Sequence, residues 1–81
     1  MKKILVIGAG GQIGTELVIE LANRFGKESV IASDIHDRAT GALVEYQYEK
    51  LDVLNKAELH NIVREHAVTE IYLLAALLSA T

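Results

Sequence analysis

Apolar positions follow two alternating rhythms along the 81 residues. Short unbroken runs alternate with stretches in which apolar residues recur every three or four positions. Residues 2–8, KKILVIG, form an apolar run closed by glycine, which predicts a strand buried on both faces. Over 12–25, Ile13, Leu17, Leu21 and Phe25 recur every four residues, with Val18 and Ala22 beside them. That row predicts one face of a helix, stopped by Gly26. Residues 29–34, SVIASD, predict a second strand. Residues 36–47 have weak helical character interrupted by Gly41, and predict a loop with one turn. Residues 48–53, YEKLDV, predict a short third strand. Asn55 and Glu58 make an N-x-x-E capping pattern. Leu59, Ile62 and Val63 then supply the stripe of a second helix ending near His66. Residues 70–75, EIYLLA, predict a fourth strand.

Strands alternating with helices imply an α/β fold with a parallel sheet. Right-handed crossovers place the two helices on opposite faces. The expected architecture is a partial doubly wound sheet with four strands in the order 3-2-1-4. Residues 1–81 are expected to form one domain.

Composition narrows this little. The chain is 51% hydrophobic and 23% charged, as a packed domain should be. A formal net charge of -3 argues against nucleic-acid binding through a basic face. There is no cysteine, hence no thiolate metal site. The uncharged stretch 71–80 is too short to cross a bilayer, which takes about 20 residues. MKKILVIGAG has too short an apolar part for a signal peptide, and an acid-bearing amphipathic segment follows it. A cytoplasmic location and no membrane partner are expected.

Four of the 6 glycines, Gly8, Gly10, Gly11 and Gly14, crowd the turn between the first strand and the first helix. In that context a glycine cluster points to phosphate binding, because helix-start N–H groups are unpaired and partly positive. The strict G-x-G-x-x-G frame fails at Ile13. G-x-x-G-x-x-G fits on Gly8, Gly11 and Gly14. Gly8 is expected to allow the turn, Gly11 the approach of a pyrophosphate, and Gly14 close packing of helix on strand. Asp34 follows 20 residues after Gly14, at the end of the second strand. An acid there accepts the ribose hydroxyls of a dinucleotide and repels a 2′-phosphate, favouring NAD over NADP. Arg38 nearby keeps NADP open. The plain alternative for Asp34 is a solvated turn residue. Asp52 is expected to end the third strand facing the adenine, or to serve only as a helix-entry residue. Ala75 and Ala76 are either small residues passing the cofactor or ordinary core.

ILVIGAGGQIG, ASD, LDV and YLLAALLSAT together resemble the amino-terminal NAD-binding, Rossmann-type part of the extended short-chain dehydrogenase/reductases. Within them the chain is most similar to the epimerase-like L-threonine 3-dehydrogenases, on GGQIGTELV, VIASDI and LAALLSAT. The resemblance covers all 81 residues. It implies NAD as cofactor, held at Gly8, Gly11 and Gly14 with backbone contacts from Gln12 and Ile13. It implies Asp34 at the adenosine ribose, Ile35 beside the adenine, and Asp52 and Val53 at the adenine. Leu74, Ala75 and Ala76 match the loop beside the cofactor, and Ser79 and Thr81 the start of a substrate-side segment. Two departures stand out. Relatives are much longer and carry a Tyr-x-x-x-Lys catalytic pair beyond the fourth strand. Leu73 stands where they often have histidine.

Tyr46 and Lys50 match Tyr-x-x-x-Lys only formally, since they fall at the third strand. His36, His60 and His66 are not spaced as a metal cluster, and Glu16 and Glu20 read as a solvated face. No residue is placed as the base that hydride transfer needs. The expectation is a truncated NAD-binding module without catalytic residues. The alternative is an engineered or minimal half-fold in which nucleotide binding is incidental. A complete enzyme acting as an oligomer would need a base from a neighbouring chain. An open fourth-strand edge predicts a homodimer or exchange of elements between chains.

Overall fold

A computed structural model describes residues 2–74 of the chain. Its elements are β1 (Ile4–Ile7), α1 (Gln12–Phe25), β2 (Val30–Asp34), β3 (Gln47–Lys50), α2 (Lys56–His66) and β4 (Glu70–Leu73). Short 3-10 turns occupy Lys27–Ser29 and Gly41–Glu45. All pairings are parallel and the strand order is β3-β2-β1-β4, as expected. No described helix is long and apolar enough to cross a membrane.

β1 is buried along its whole length because alternate side chains serve opposite faces. Ile4 and Val6 join Val30, Ala32, Val18, Leu21 and Ala22 in the core beneath α1. Leu5 and Ile7 join Ile31, Leu51 and Ile62 in the core beneath α2. The two helices therefore cover opposite faces of one sheet. The buried Ser33 hydroxyl donates to the Val6 carbonyl at 2.9 Å, so the one fully buried polar side chain of β2 is satisfied.

Several boundaries differ from the expectation. The buried stripe of α1 is Gly14, Val18, Leu21 and Ala22. The expected row is displaced at both ends: Ile13 is 71% exposed, and Phe25 lies out under the Lys2 ammonium. A close glycine contact rotates this stripe toward residue 14, where an apolar count gives glycine no weight. Ser29 belongs to the 3-10 turn before β2. β3 begins at Gln47 and stops at Lys50, so Asp52 lies beyond it and does not end the strand. The Asp52 carboxylate instead closes a turn, accepting the Leu54 N–H at 3.0 Å. β4 ends at Leu73, before Ala75, which lies outside the described residues.

The capping pattern at α2 is only half reciprocal. Asn55 Oδ1 accepts the Glu58 N–H at 3.2 Å. The Glu58 carboxylate reaches back past Asn55 to the Asp52 N–H at 3.1 Å. Asn55→Ala removes the side-chain acceptor and is expected to cost about 1 kcal/mol, read as a lower urea midpoint with an unchanged slope. At the other end of α2, His66 Nε2 lies 2.8 Å from Glu49 Oε2 and ties the helix to β3.

Candidate dinucleotide site

The turn from β1 into α1 is built from the backbone. Gly8 has φ +87°, a left-handed conformation that a side chain would strain. The Gly8 and Ala9 N–H groups both donate to the Ser33 carbonyl at 2.9 Å, fastening the turn to β2. Thr15 Oγ1 donates to the Ala9 carbonyl at 2.9 Å from the helix side. Gly14 packs so closely that an added Cβ would lie 2.5 Å from the Gly8 carbonyl oxygen and 2.7 Å from Ala9 Cα. Gly11 is the N-cap of α1, and an added Cβ there would meet nothing within 4 Å. The three glycines of the frame thus differ in cause. Gly8 answers to conformation, Gly14 to packing, and Gly11 opens onto free space.

Gly10 lies outside that frame, and sequence reasoning assigned it no task. Its N–H donates to Asp34 Oδ2 at 2.7 Å. An added Cβ would lie 2.5 Å from the same oxygen. Asp34 Oδ1 accepts the Ile35 N–H at 2.7 Å. The carboxylate at the end of β2 is therefore held against the glycine turn by one amide on each oxygen. The signal available in the sequence was a glycine that the fitting frame, on Gly8, Gly11 and Gly14, did not require.

The start of α1 has no side-chain cap and no acidic residue in its first turn. Gln12 and Ile13 occupy that turn, with both side chains exposed. Ile35, next to Asp34, is 62% exposed. Apolar side chains, unpaired helix amides and a carboxylate thus meet at the carboxyl end of β1 and β2. This is the end of a doubly wound sheet at which ligands bind.

The loop after Asp34 is moored to β3. The Tyr48 hydroxyl donates to the His36 carbonyl at 2.8 Å, and Lys50 Nζ lies 2.9 Å from Asp37 Oδ1. The hydrogen bond and charge of Lys50 hold the Asp37 carboxyl below its ordinary range, and Asp37 raises the Lys50 ammonium in turn. Burial, then the charges of Asp34 and Asp37, push the Tyr48 phenol upward.

Other expected positions separate. Val53 is half-buried against the core beneath α2, whereas Asp52 is exposed in its turn. Leu74 packs against the core beneath α1, and its N–H donates to the Ile7 carbonyl at 3.0 Å. Ala75, Ala76, Ser79 and Thr81 lie outside the described residues. Tyr46 and Lys50 serve different partners, since Lys27 sits over the Tyr46 ring and Lys50 binds Asp37. Glu20 pairs with Arg24 at 2.9 Å, away from Glu16. His66 is half-buried. Its ring joins Glu49 and Glu65 within 4.8 Å, and the Glu49 hydrogen bond accounts for it.

Residues 4–81 match the model of the NAD dependent epimerase/dehydratase family. An uncharacterized epimerase/dehydratase of Staphylococcus saprophyticus is 44% identical over an 82-residue alignment, covering 100% of this chain and 26% of that protein. A Staphylococcus aureus counterpart is 40% identical with the same coverage. The chain thus spans about a quarter of the length of these relatives. Among solved structures, the holo form of a GalE-like L-threonine dehydrogenase from Cupriavidus necator is 44% identical with a TM-score of 0.80. L-threonine dehydrogenase from Clostridium difficile is 40% identical with a TM-score of 0.82. These matches cover 89% and 90% of this chain, and 23% of each of those chains. The expected resemblance to the amino-terminal part of such dehydrogenases holds, and the chain belongs to the NAD-dependent epimerase/dehydratase family.

Proposed function

We propose that the chain binds NAD and supplies the cofactor side of an oxidoreductase of the L-threonine 3-dehydrogenase kind. The observation that carries this reading is the bare start of α1 at Gly11, open to solvent and set beside the Asp34 carboxylate. A pyrophosphate resting on the first amides of α1 would satisfy donors that no side chain caps. Asp34 would exchange its two backbone donors for ribose hydroxyls. Ile35 and Ile13 offer apolar surface to the nucleotide, Asp52 and Val53 the adenine contacts, and Leu74 to Ala76 the wall beside the nicotinamide half. When bound, the nicotinamide ring supplies the hydride acceptor. The substrate-side role of Ser79 and Thr81, and a cytoplasmic site of action, belong to the same reading. So does self-association through β4, supported by exposed Ile71, Tyr72 and Leu73. A strictly monomeric chain in sedimentation at high concentration would remove that part alone.

Gly11→Val tests the binding reading, because an added Cβ there meets nothing within 4 Å and the methyls project where the pyrophosphate is expected. Calorimetric titration with NAD is expected to show saturable binding by the wild type. Gly11→Val is expected to weaken it about thirtyfold or more, through loss of charge-assisted amide contacts. Its urea midpoint should fall only by the roughly 1 kcal/mol that an apolar N-cap costs, leaving the chain folded for the titration. A folded wild type that takes up no NAD, or a Gly11→Val variant that binds equally well, would overturn the reading.

A further inference from the structure

We propose that Lys50 is the cation through which this fold would take a 2′-phosphate, and that Asp37 withholds it. The Asp37–Lys50 pair is then a second determinant of NAD over NADP. This rests on the NAD reading above and adds to it, since Asp34 alone was assigned that selectivity.

The placement follows from the sheet. Ala32 and Tyr48 are register partners, and both side chains pack beneath α1. Two residues on, Asp34 and Lys50 are also register partners, so they leave the sheet on the same face. Adjacent strands lie about 4.8 Å apart, which puts the lysine stem directly beside the acid expected to hold the ribose. Lys50 Nζ does not turn to Asp34, however. It pairs with Asp37 Oδ1 at 2.9 Å, on the loop three residues further along. Both members of the pair are largely exposed. Asp37 raises the Lys50 ammonium above its ordinary range, and the charge of Glu58 adds to the effect.

The loop has an anchor besides this ion pair. Tyr48 anchors it separately through the His36 carbonyl. Removing the Asp37 charge therefore frees Lys50 without releasing the backbone. A ribose hydroxyl is indifferent to that change. A 2′-phosphate is not, because phosphate oxygens gain strongly from an ammonium donor. In the wild type an incoming 2′-phosphate meets two carboxylates, and a lysine already neutralised.

The test uses NAD and NADP as probes on four proteins: wild type, Asp34→Ser, Asp34→Ser with Asp37→Asn, and that pair with Lys50→Met. Each is checked for folding by circular dichroism, and each affinity is measured at low and high salt. The NADP-to-NAD affinity ratio is expected to rise about tenfold from Asp34→Ser to the double variant. The gain should vanish in the triple variant and shrink with added salt. In a fifth protein, Asp34→Ser with Asp37→Glu, the acid is put back and the ratio should return to that of Asp34→Ser alone. Equal ratios in the single and double variants overturn the proposal, and so does a gain that survives Lys50→Met. If folded wild type and variants all bind neither probe, the NAD reading itself fails and this proposal falls with it. Binding of NAD by the wild type, with an NADP-to-NAD ratio that does not depend on Lys50 in any variant, overturns the proposal alone.

Discussion

Gly14→Ala is expected to destabilise the fold by about 3 kcal/mol, although it places the best helix former inside a helix. Propensity alone favours alanine over glycine by about 1 kcal/mol. The contact decides the sign. The new methyl would lie 2.5 Å from the Gly8 carbonyl oxygen and 2.7 Å from Ala9 Cα, and both are backbone. No rotamer change relieves such an overlap, so α1 must move off the sheet. Val18, Leu21 and Ala22 would move with it, out of the core that β1 and β2 share. A domain of this size has only about 0.05–0.15 kcal/mol per residue in reserve, so much of its stability is at stake. Urea unfolding followed by circular dichroism reads the loss. A midpoint equal to or above that of the wild type would mean the turn can relax, and that the packing reason for Gly14 is wrong.

Asp34→Ala is expected to weaken NAD binding by about ten- to a hundredfold, as loss of hydrogen bonds to a charged acceptor should. The figure is not larger because the free carboxylate is not idle. It already accepts the Gly10 and Ile35 amides at 2.7 Å each, and must trade them for ribose hydroxyls. The same substitution is expected to lower stability by about 1 kcal/mol through the lost tie to Gly10. Calorimetry with NAD and a urea titration separate the two effects. An unchanged affinity would return Asp34 to the role of a turn residue.

The sheet was legible because its central strands, β1 and β2, are covered on both faces and read as plain apolar runs. ILVI and VIAS needed no periodicity to be recognised, and parallel right-handed connections left one natural order. The bounds of α1 were legible from Gly11 and Gly26, which stand at its two ends. Its buried face was not. Ile13 and Phe25 extend the apolar row past the reach of the sheet, while Gly14 defines the contact without contributing any hydrophobicity. β3 was read too long because Leu51 is as buried as a strand residue. Its N–H still donates to the Asp34 carbonyl at 2.8 Å, although the strand ends at Lys50. Of the candidate site, the glycine frame and Asp34 could be placed from spacing. The Gly10–Asp34 bond and the mooring of the 36–38 loop by Tyr48 and Lys50 could not. They join residues from separate strands and turns, and no local pattern encodes such a meeting.

The two helices of this chain begin in opposite ways. α2 opens with Asn55 accepting an amide and Glu58 in its first turn. α1 opens with a bare glycine, no side-chain acceptor and no acid. One helix carries its own counter-charge, and the other leaves that place to whatever anion arrives. Recognition of an anion there would make binding and folding a single linked equilibrium. An anion that completes α1 adds to the stability of the native state by mass action, about 2.7 kcal/mol at a hundred times its Kd. In a sheet this small, the occupancy of one helix end would set the melting temperature as surely as any substitution in the core.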